Sequence, residues 1–397
     1  MAANEVRVGV IGLGNMGSCH VRDIGNEAIP GLKLAAVCDI LHERADNWAE
    51  QFKVPAYYDY RSLLRKADLD AIIVATPHYD HTPISIAGLK AGLHVLTEKP
   101  LAVHVKDGRK MIAAYEEVLK TDPNRVFAIM FQQRTYGFWR KIKEMIDRGD
   151  LGKLVRATWI ITDWFRTQVY YDNGGWRATW KGEGGGVLLN QCPHNLDLYQ
   201  WFFGLPKRVG GFISIGKYHN IEVEDEVTAY FEHENGMVGH FITTTAESPG
   251  TNRLEVVGEN GKLVFEAGKL TFTRNAASMF EVIRTSELAF TQVENTKEEI
   301  PYPAHIDPGH TVVLEAFAKA VLTGTPLVAW APEGLNGLSI GNAIMHSAFL
   351  GRPVDLPLDE NAYAAKLKRL IKASDFKKTE RNLGPVDLAD SYSTAKR

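Results

Sequence analysis

Val6-Arg7-Val8-Gly9-Val10-Ile11-Gly12-Leu13-Gly14-Asn15-Met16-Gly17 takes a short apolar run directly into three spaced glycines and then into a helical pattern. The first glycine permits a tight turn, the second lets a pyrophosphate approach the backbone, and the third lets the helix pack closely on the strand. Phosphates then lie at a helix N-terminus, where free N–H groups and the helix dipole favour negative charge. Alone, this glycine pattern is weak, because glycine turns are common. Asp39 strengthens it by ending the next apolar run, 22 residues after Gly17. A carboxylate there accepts hydrogen bonds from ribose hydroxyls and repels a 2′-phosphate, so the expected cofactor is NAD. His42 and Arg44 are the nearby groups that could favour NADP instead.

Outward from this stretch the same rhythm continues. Apolar runs at Leu34–Cys38, Ala71–Ala75, His94–Thr97 and Val126–Phe131 have the length and lack of alternation of strands buried on both faces. Helical patterns near Leu41–Phe52, Pro83–Ala91 and Val105–Leu119 separate them, with Thr82-Pro83 as a helix start. Alternation of this kind predicts an α/β Rossmann domain with a doubly wound parallel sheet. Later, Thr228–Phe231, Val238–Thr245, Leu254–Val257 and Lys262–Glu266 are separated by turn residues, which predicts an antiparallel meander. Helical patterns follow at Thr311–Leu322 and Pro332–Leu350. We expect a dinucleotide-binding domain over residues 1–132. A substrate-binding α+β domain over 133–372 follows, its C-terminal helices able to pack back on the first, and then a polar, loosely held tail over 373–397.

The bulk figures exclude several classes. The 397 residues are 45% hydrophobic and 23% charged, with net charge −3. That supports a large core, and without a basic excess no nucleic-acid partner is expected. The start, MAANEVRVGVIG, lacks a basic region followed by an apolar stretch, so no signal peptide is expected. No apolar run approaches the roughly 18 residues of a membrane span. Cys19, Cys38 and Cys192 fit neither a disulfide framework nor a zinc pattern. We read them as reduced thiols of a cytoplasmic protein. No metal site is expected.

Four further segments carry a family resemblance. They are Ala75-Thr76-Pro77-His78, Glu98-Lys99-Pro100, Asn190-Gln191-Cys192-Pro193-His194-Asn195-Leu196-Asp197 after the run Gly184-Gly185-Gly186, and the stretch from Glu315-Ala316-Phe317 to Gly351-Arg352-Pro353-Val354. Over residues 5–358 the chain resembles the Gfo/Idh/MocA oxidoreductases, named for glucose-fructose oxidoreductase and inositol dehydrogenase. The resemblance implies a C-terminal α+β domain with a large, open, mainly antiparallel sheet, and a homo-oligomer, dimer or tetramer. It makes Lys99 catalytic, in a Lys-Pro bond that is often cis in relatives. It also implies a distal Asp-x-x-x-His motif, of which His194 matches the histidine while Asn190 replaces the aspartate. On one helix these two would share a face, and the amide would orient the imidazole without raising its basicity. Which of Lys99 and His194 takes the proton stays open. Cofactor contacts are expected from Gly12, Gly14, Asn15, Met16, Gly17, Asp39, Ile40, Thr76, Pro77, His78, His81, Glu98, Lys99, Trp176 and Arg177.

Residues 163–181 crowd three tryptophans, a phenylalanine, two tyrosines, two arginines and a lysine into 19 positions, with no helical or strand period. Sugars stack C–H faces on aromatic rings and bond to planar polar groups, so the substrate is expected to be a carbohydrate. Its expected contacts are Arg166, Tyr170, Tyr171, Trp180 and Lys181, with Gln133 and Arg134 by resemblance and Asp197 from the distal motif. Tyr218-His219 and Glu224-Asp225 are read as solvated loop residues. The leading function is NAD-dependent removal of hydride from a secondary alcohol of a sugar, cyclitol or glycoside, with Lys99 and His194 managing the hydroxyl proton. An alternative is a redox-neutral, NAD-dependent glycoside hydrolase that oxidises C3 transiently, eliminates the aglycone, adds water and re-reduces. Arg166, Arg177 and Lys181 would suit an anionic glycoside such as a uronoside or sulfoquinovoside. A second alternative is a non-catalytic NAD or sugar sensor.

Asp39 yields the first prediction. Isothermal titration should show NAD binding more tightly than NADP, and Asp39→Ser should narrow that gap. Equal or tighter binding of NADP by the native protein would contradict the assignment.

Overall fold

The computed structural model describes residues 5–304 and 309–381; residues 1–4, 305–308 and 382–397 lie outside the description. Strands β1 (Val6–Ile11), β2 (Leu32–Cys38), β3 (Ala56–Tyr57), β4 (Ala71–Val74), β5 (His94–Thr97) and β6 (Phe127–Ile129) form one parallel sheet in the order β3-β2-β1-β4-β5-β6. The helices α1 (Asn15–Gly25), α2 (His42–Phe52), α3 (Tyr60–Lys66), α4 (His78–Lys90) and α5 (Val105–Leu119) connect them. The strand order reverses between β1 and β4, and ligands of such sheets bind at that crevice, beyond the carboxyl ends of the strands. The loops after β1, β4 and β5 carry Gly12–Gly14, Ala75–Pro77 and Glu98–Pro100 to that edge.

The fourth helix departs from expectation. It begins at His78, not at Pro83, and Pro83 lies inside it. Pro83 is the sixth helical residue and gives no N–H to the Tyr79 carbonyl, so the helix continues at the cost of one backbone bond. The earlier start puts His78 and His81 on the first turn, both buried.

The second domain opens with α6 (Gly137–Asp147) and β7 (Leu154–Ile161). Then come α7 (Gln168–Asp172), α8 (Val187–Asn190) and α9 (Pro193–Phe203). Strands β8 (Arg208–Ile215), β9 (Glu224–Glu232), β10 (Val238–Thr244), β11 (Asn252–Gly258), β12 (Gly261–Glu266) and β13 (Lys269–Asn275) follow, then α10 (Met279–Thr285) and β14 (Asn295–Glu299). The described chain ends with α11 (Gly309–Thr323), α12 (Gly334–Leu350), β15 (Val354–Asp355) and α13 (Glu360–Ala373). The nine strands run β14-β13-β12-β11-β7-β10-β9-β8-β15. The expected uninterrupted meander is therefore broken. β7 inserts between β10 and β11, parallel to the first and antiparallel to the second. Its buried Trp159, opposite Phe241 on one side and Leu254 on the other, gives β7 the apolar face that earns the central place.

The two sheets share their cover. α12 lies across β8, α9 and α5, and α13 rests against α5. α11 returns to the first domain, where Val313, Leu314 and Phe317 pack with Val8, Val10, Ile73 and Leu96 in one buried cluster.

The glycine loop separates packing from access. A Cβ on Gly17 would stand 1.7 Å from the Gly12 carbonyl oxygen, and one on Gly12 (φ +89°) would meet Ala75 and Thr76 backbone at 2.7 Å. A Cβ on Gly14 would meet nothing within 4 Å. Gly17→Ala should therefore destabilise the fold by about 1–3 kcal/mol, as overpacking does. Gly14→Val should fold normally yet lose NAD affinity tenfold or more, roughly 1.4 kcal/mol or above. Thermal melts beside NAD titrations separate the two, and normal NAD binding by Gly14→Val would show the loop to be misread.

Candidate active site

The cofactor cradle follows from these loops. α1 has no side-chain cap at Gly14, so its N-terminus, with Asn15 and Met16 in the first turn, faces the open space above that glycine. Asp39 accepts from Leu13 N–H at 2.8 Å and from Leu41 N–H at 2.9 Å, one bond on each carboxylate oxygen. Each oxygen keeps lone-pair capacity for a ribose hydroxyl. Arg44 Nη1 stands 3.5 Å from the same carboxylate, and Ile40 is 83% exposed at the rim. Thr76 Oγ1 is buried with no partner among the described residues, beside Pro77, which caps α4. His81 faces the Pro100 carbonyl at 2.8 Å and the Thr76 carbonyl at 2.9 Å, so its ring bridges the two loops. An open helix N-terminus, a half-satisfied carboxylate and an orphaned hydroxyl along one crevice fit a dinucleotide.

Lys99 stands at the end of β5, after a buried charge pair. Glu98 Oε1 lies 2.8 Å from His20 Nε2 of α1. Burial pushes the Glu98 carboxyl up, but the His20 bond and nearby cations win and hold it at about 2. The Lys99-Pro100 bond is cis. Lys99 Nζ donates to the Asn190 carbonyl at 2.9 Å. Burial pulls the Lys99 ammonium below its usual range; Glu98 and Glu183 oppose this, while Arg177 and Arg166 add to it. His194, 3% exposed on α9, has Nε2 3.2 Å from the Gln132 amide nitrogen, and its Nδ1 is buried without a partner among the described residues. Burial first, then Lys99, keeps this imidazole neutral, well below its ordinary pKa.

The expected relation of Asn190 to His194 does not form. Asn190 ends α8 and His194 sits in α9, across a break at Gln191-Cys192. The Asn190 amide nitrogen instead donates to Glu183, and its oxygen accepts from Tyr170 Oη at 3.3 Å. The imidazole's partner is Gln132. Neither Gln132 nor Glu183 stood out in the sequence, and only the glutamate's place before the glycine run pointed toward it.

Residues 163–181 wrap this cluster. Arg177 donates to Tyr170 Oη at 2.9 Å and lies 4.6 Å over the Trp176 ring and 4.8 Å over Tyr170. Arg166 approaches Tyr170 at 5.3 Å, so one tyrosine meets two guanidinium groups. Trp176 meets His78 edge-on at 5.1 Å. Asp163 opens the segment, its Oδ1 buried without a partner among the described residues and its carboxyl pushed up to about 6 by burial. The chain beyond α13 crosses this loop. Arg381 N–H donates to the Asp172 carbonyl at 2.9 Å, and Lys378 Nζ caps the Gly174 and Arg177 carbonyls.

Several residues expected at the substrate serve the framework. Arg134 is 5% exposed and Asp197 1%. Arg134 Nε and Nη2 donate to the two Asp197 oxygens at 2.8 and 2.6 Å, and Nη1 reaches Glu333 at 2.6 Å. Tyr171 is buried and donates to Thr245 at 2.7 Å. Trp180 is buried, its N–H given to Glu222 and its carbonyl to Tyr79. Lys181 is exposed, and it is Gln132, not the partly buried Gln133, that reaches His194. Glu224 and Asp225, expected as solvated, are fully buried. The Glu224 carboxylate accepts the Gly186 and Leu188 N–H groups at the start of α8, and burial pushes it up to about 7. Asp225 accepts from the Lys217, Tyr218 and His219 N–H groups and tethers the His219 ring at 3.1 Å. Among the described residues no helix is long and apolar enough to cross a membrane.

Comparison with known proteins agrees with this geometry. The profile described as an oxidoreductase family with an NAD-binding Rossmann fold matches residues 6–121, and the GFO/IDH/MocA C-terminal domain matches residues 139–264. The chain belongs to the Gfo/Idh/MocA family and is an NAD-dependent oxidoreductase. It is similar to the scyllo-inositol 2-dehydrogenase (NAD(+)) of Bacillus subtilis, with 25% identity over 89% of this chain and 97% of that one. The levoglucosan dehydrogenase of Pseudarthrobacter phenanthrenivorans is 27% identical over 89% of this chain and 98% of its own. The fold also matches the WlbA dehydrogenase of Bordetella pertussis, solved with NADH and UDP-GlcNAcA, at TM-score 0.73 and 24% identity, covering 89% of this chain and 100% of that one.

The Arg134 cluster is open to test. Asp197→Ala leaves a buried guanidinium short of its main partner and should cost about 3–5 kcal/mol of stability. Protein that remains folded should keep its KM for substrate. A raised KM with unchanged denaturant stability would return Asp197 to the substrate.

Proposed function

We propose that the protein removes hydride from a secondary alcohol of a sugar or cyclitol, with Lys99 and His194 managing the hydroxyl proton. The observation that carries this is Lys99 itself. It stands at the carboxyl end of a parallel strand, where ligands of such sheets bind. Its Nζ is bonded to a backbone carbonyl, and no carboxylate lies within ion-pair distance among the described residues. Bound NAD supplies the hydride acceptor. Loss of hydride from a carbinol leaves a carbonyl only if the hydroxyl proton also departs, which needs a positioned base. The lowered pKa of Lys99 makes its neutral form accessible nearer neutrality.

His194 completes the pair. Its Nδ1 is the ring atom without a protein partner among the described residues. If Gln132 turns its amide so that Oε1 accepts from Nε2–H, Nδ1 carries the free lone pair. The same turn satisfies Gln132 Oε1, otherwise buried without a partner. His194 then accepts a hydrogen bond, or the proton, from the hydroxyl that Lys99 also approaches. Tyr170, Trp176, Arg166 and Arg177 supply the ring faces and planar donors that suit a polyol. The names of the inositol and levoglucosan dehydrogenases support a substrate of that class. The homo-oligomer implied by the family is supported by the outer face of the second sheet. There Phe212 is 75% and Tyr230 38% exposed, opposite the face that Gly211 presents to α12.

The test is a panel of cyclitols, sugars, anhydrosugars and aryl glycosides with NAD, followed by the near-ultraviolet absorbance of reduced nicotinamide. Growth of that band with a polyol is expected. Aglycone release without it would establish the redox-neutral hydrolase, and NAD binding with neither would establish a sensor. Lys99→Ala and His194→Ala should each lower turnover about 10²–10⁴-fold while NAD still binds. A Lys99→Ala protein keeping more than about a tenth of native turnover would remove Lys99 from proton transfer.

A further inference from the structure

We infer that Glu183 is a positioning residue for Lys99, acting through Asn190 as the buried counter-charge of the ammonium. This rests on the reading that Lys99 handles the substrate proton. Glu183 is 1% exposed and directly precedes the run Gly184-Gly185-Gly186. One carboxylate oxygen accepts the Ala178 N–H at 2.6 Å and the other accepts the Asn190 side-chain amide. Both oxygens meet donors, the pattern of an ionised carboxylate. The clamped Asn190 turns its carbonyl to Lys99 Nζ at 2.9 Å and its amide oxygen to Tyr170, which Arg177 and Gln191 also hold. Glu183 thus holds the side chain, and Lys99 the backbone carbonyl, of the same last residue of α8.

The charges around the pair make Glu183 the shared anion. Burial pushes the Glu183 carboxyl up, while Arg177, the Asn190 and Ala178 bonds and Lys378 act to keep it ionised, and Glu224 faces it from β9. Lys99 is influenced by Glu98, Arg177, Glu183 and Arg166, and itself acts on His78, Cys192 and His194. Of its two carboxylates, Glu98 is committed to His20. Glu98 still acts on Lys99 from the same loop, and Glu183 adds a second anion that also faces Arg177 and Lys378. Removing its charge makes the neutral lysine easier to reach.

The experiment is competitive acetylation of Lys99 with trace acetic anhydride across pH, read by mass spectrometry of the Lys99 peptide, in the full-length native and Glu183→Gln proteins. The pKa of Lys99 should fall by about one unit in Glu183→Gln, the size of effect an opposite charge at close range exerts. The alkaline-side rise of turnover should move to lower pH with it, and NAD affinity should not change. An unmoved Lys99 titration in folded Glu183→Gln overturns the inference. Should that variant fail to fold, Glu183→Met removes the same charge at similar volume, and an unmoved titration there overturns it equally. The labelling needs no substrate. Absence of any sugar oxidation would defeat the functional reading and leave this result standing, while a flat titration beside intact turnover would defeat only this inference.

Discussion

Lys99 carries an ammonium into a cleft with little water, and the surrounding structure is arranged around keeping it there. A desolvated cation loses proton affinity and demands partners. The Asn190 carbonyl supplies a hydrogen bond from the second domain, while Glu98 supplies charge from the same loop. Glu98 can do so only because His20, reaching over from the first helix, holds it ionised against its own burial. One charge therefore ties together the glycine loop's helix, the end of the fifth strand and the break between two short helices. His81 adds a neutral tie by spanning the carbonyls of Thr76 and Pro100. The lysine's position is thus set by backbone groups from three loops more than by its own flexible stem.

The second domain treats its buried charges in the same manner. The Arg134–Asp197–Glu333 cluster joins the turn after β6, helix α9 and the turn before α12. Such clusters contribute little net stability against apolar replacements, yet losing one member strands the others. Their value is in register: α9 cannot rotate without breaking a two-pronged bond, and α9 carries His194. Glu224 does likewise for α8 by capping its first N–H groups. Lys99 and His194 are thus steadied by carboxylates buried in the framework.

Five strands of the first sheet were legible because strands buried on both faces announce themselves as unbroken apolar runs, and the glycine loop and Asp39 fixed its ligand edge; the two-residue edge strand β3, Ala56–Tyr57, is too short to show such a run. The second was legible only in part. β14 reads Asn-Thr-Lys-Glu-Glu, wholly exposed, and offers no apolar signal. β8 is weakened by Gly210-Gly211, and β7 chooses partners some eighty residues downstream, which local pattern does not encode. In the site, Lys99 and His194 stood out through their motifs. Gln132, Glu183 and Glu224 did not, because a buried polar residue has no period and its meaning lies in a distant partner. Arg134 and Asp197 misled for the complementary reason. Charged residues beside a motif look like ligand contacts until the two are seen to satisfy each other.

The return of α11 to the first domain bears on how the chain is assembled at the ribosome. The parallel sheet is complete by Ile129, but the part of one face that α1 and α2 leave uncovered stays bare until Val313, Leu314 and Phe317 arrive. The nascent N-terminal half thus emerges with an apolar surface that nothing yet synthesised can cover, the kind of surface that makes folding intermediates prone to aggregate. Sequence order and structural order are out of step here. The first domain to be made waits for α11, which emerges only after all but one of the second sheet's strands.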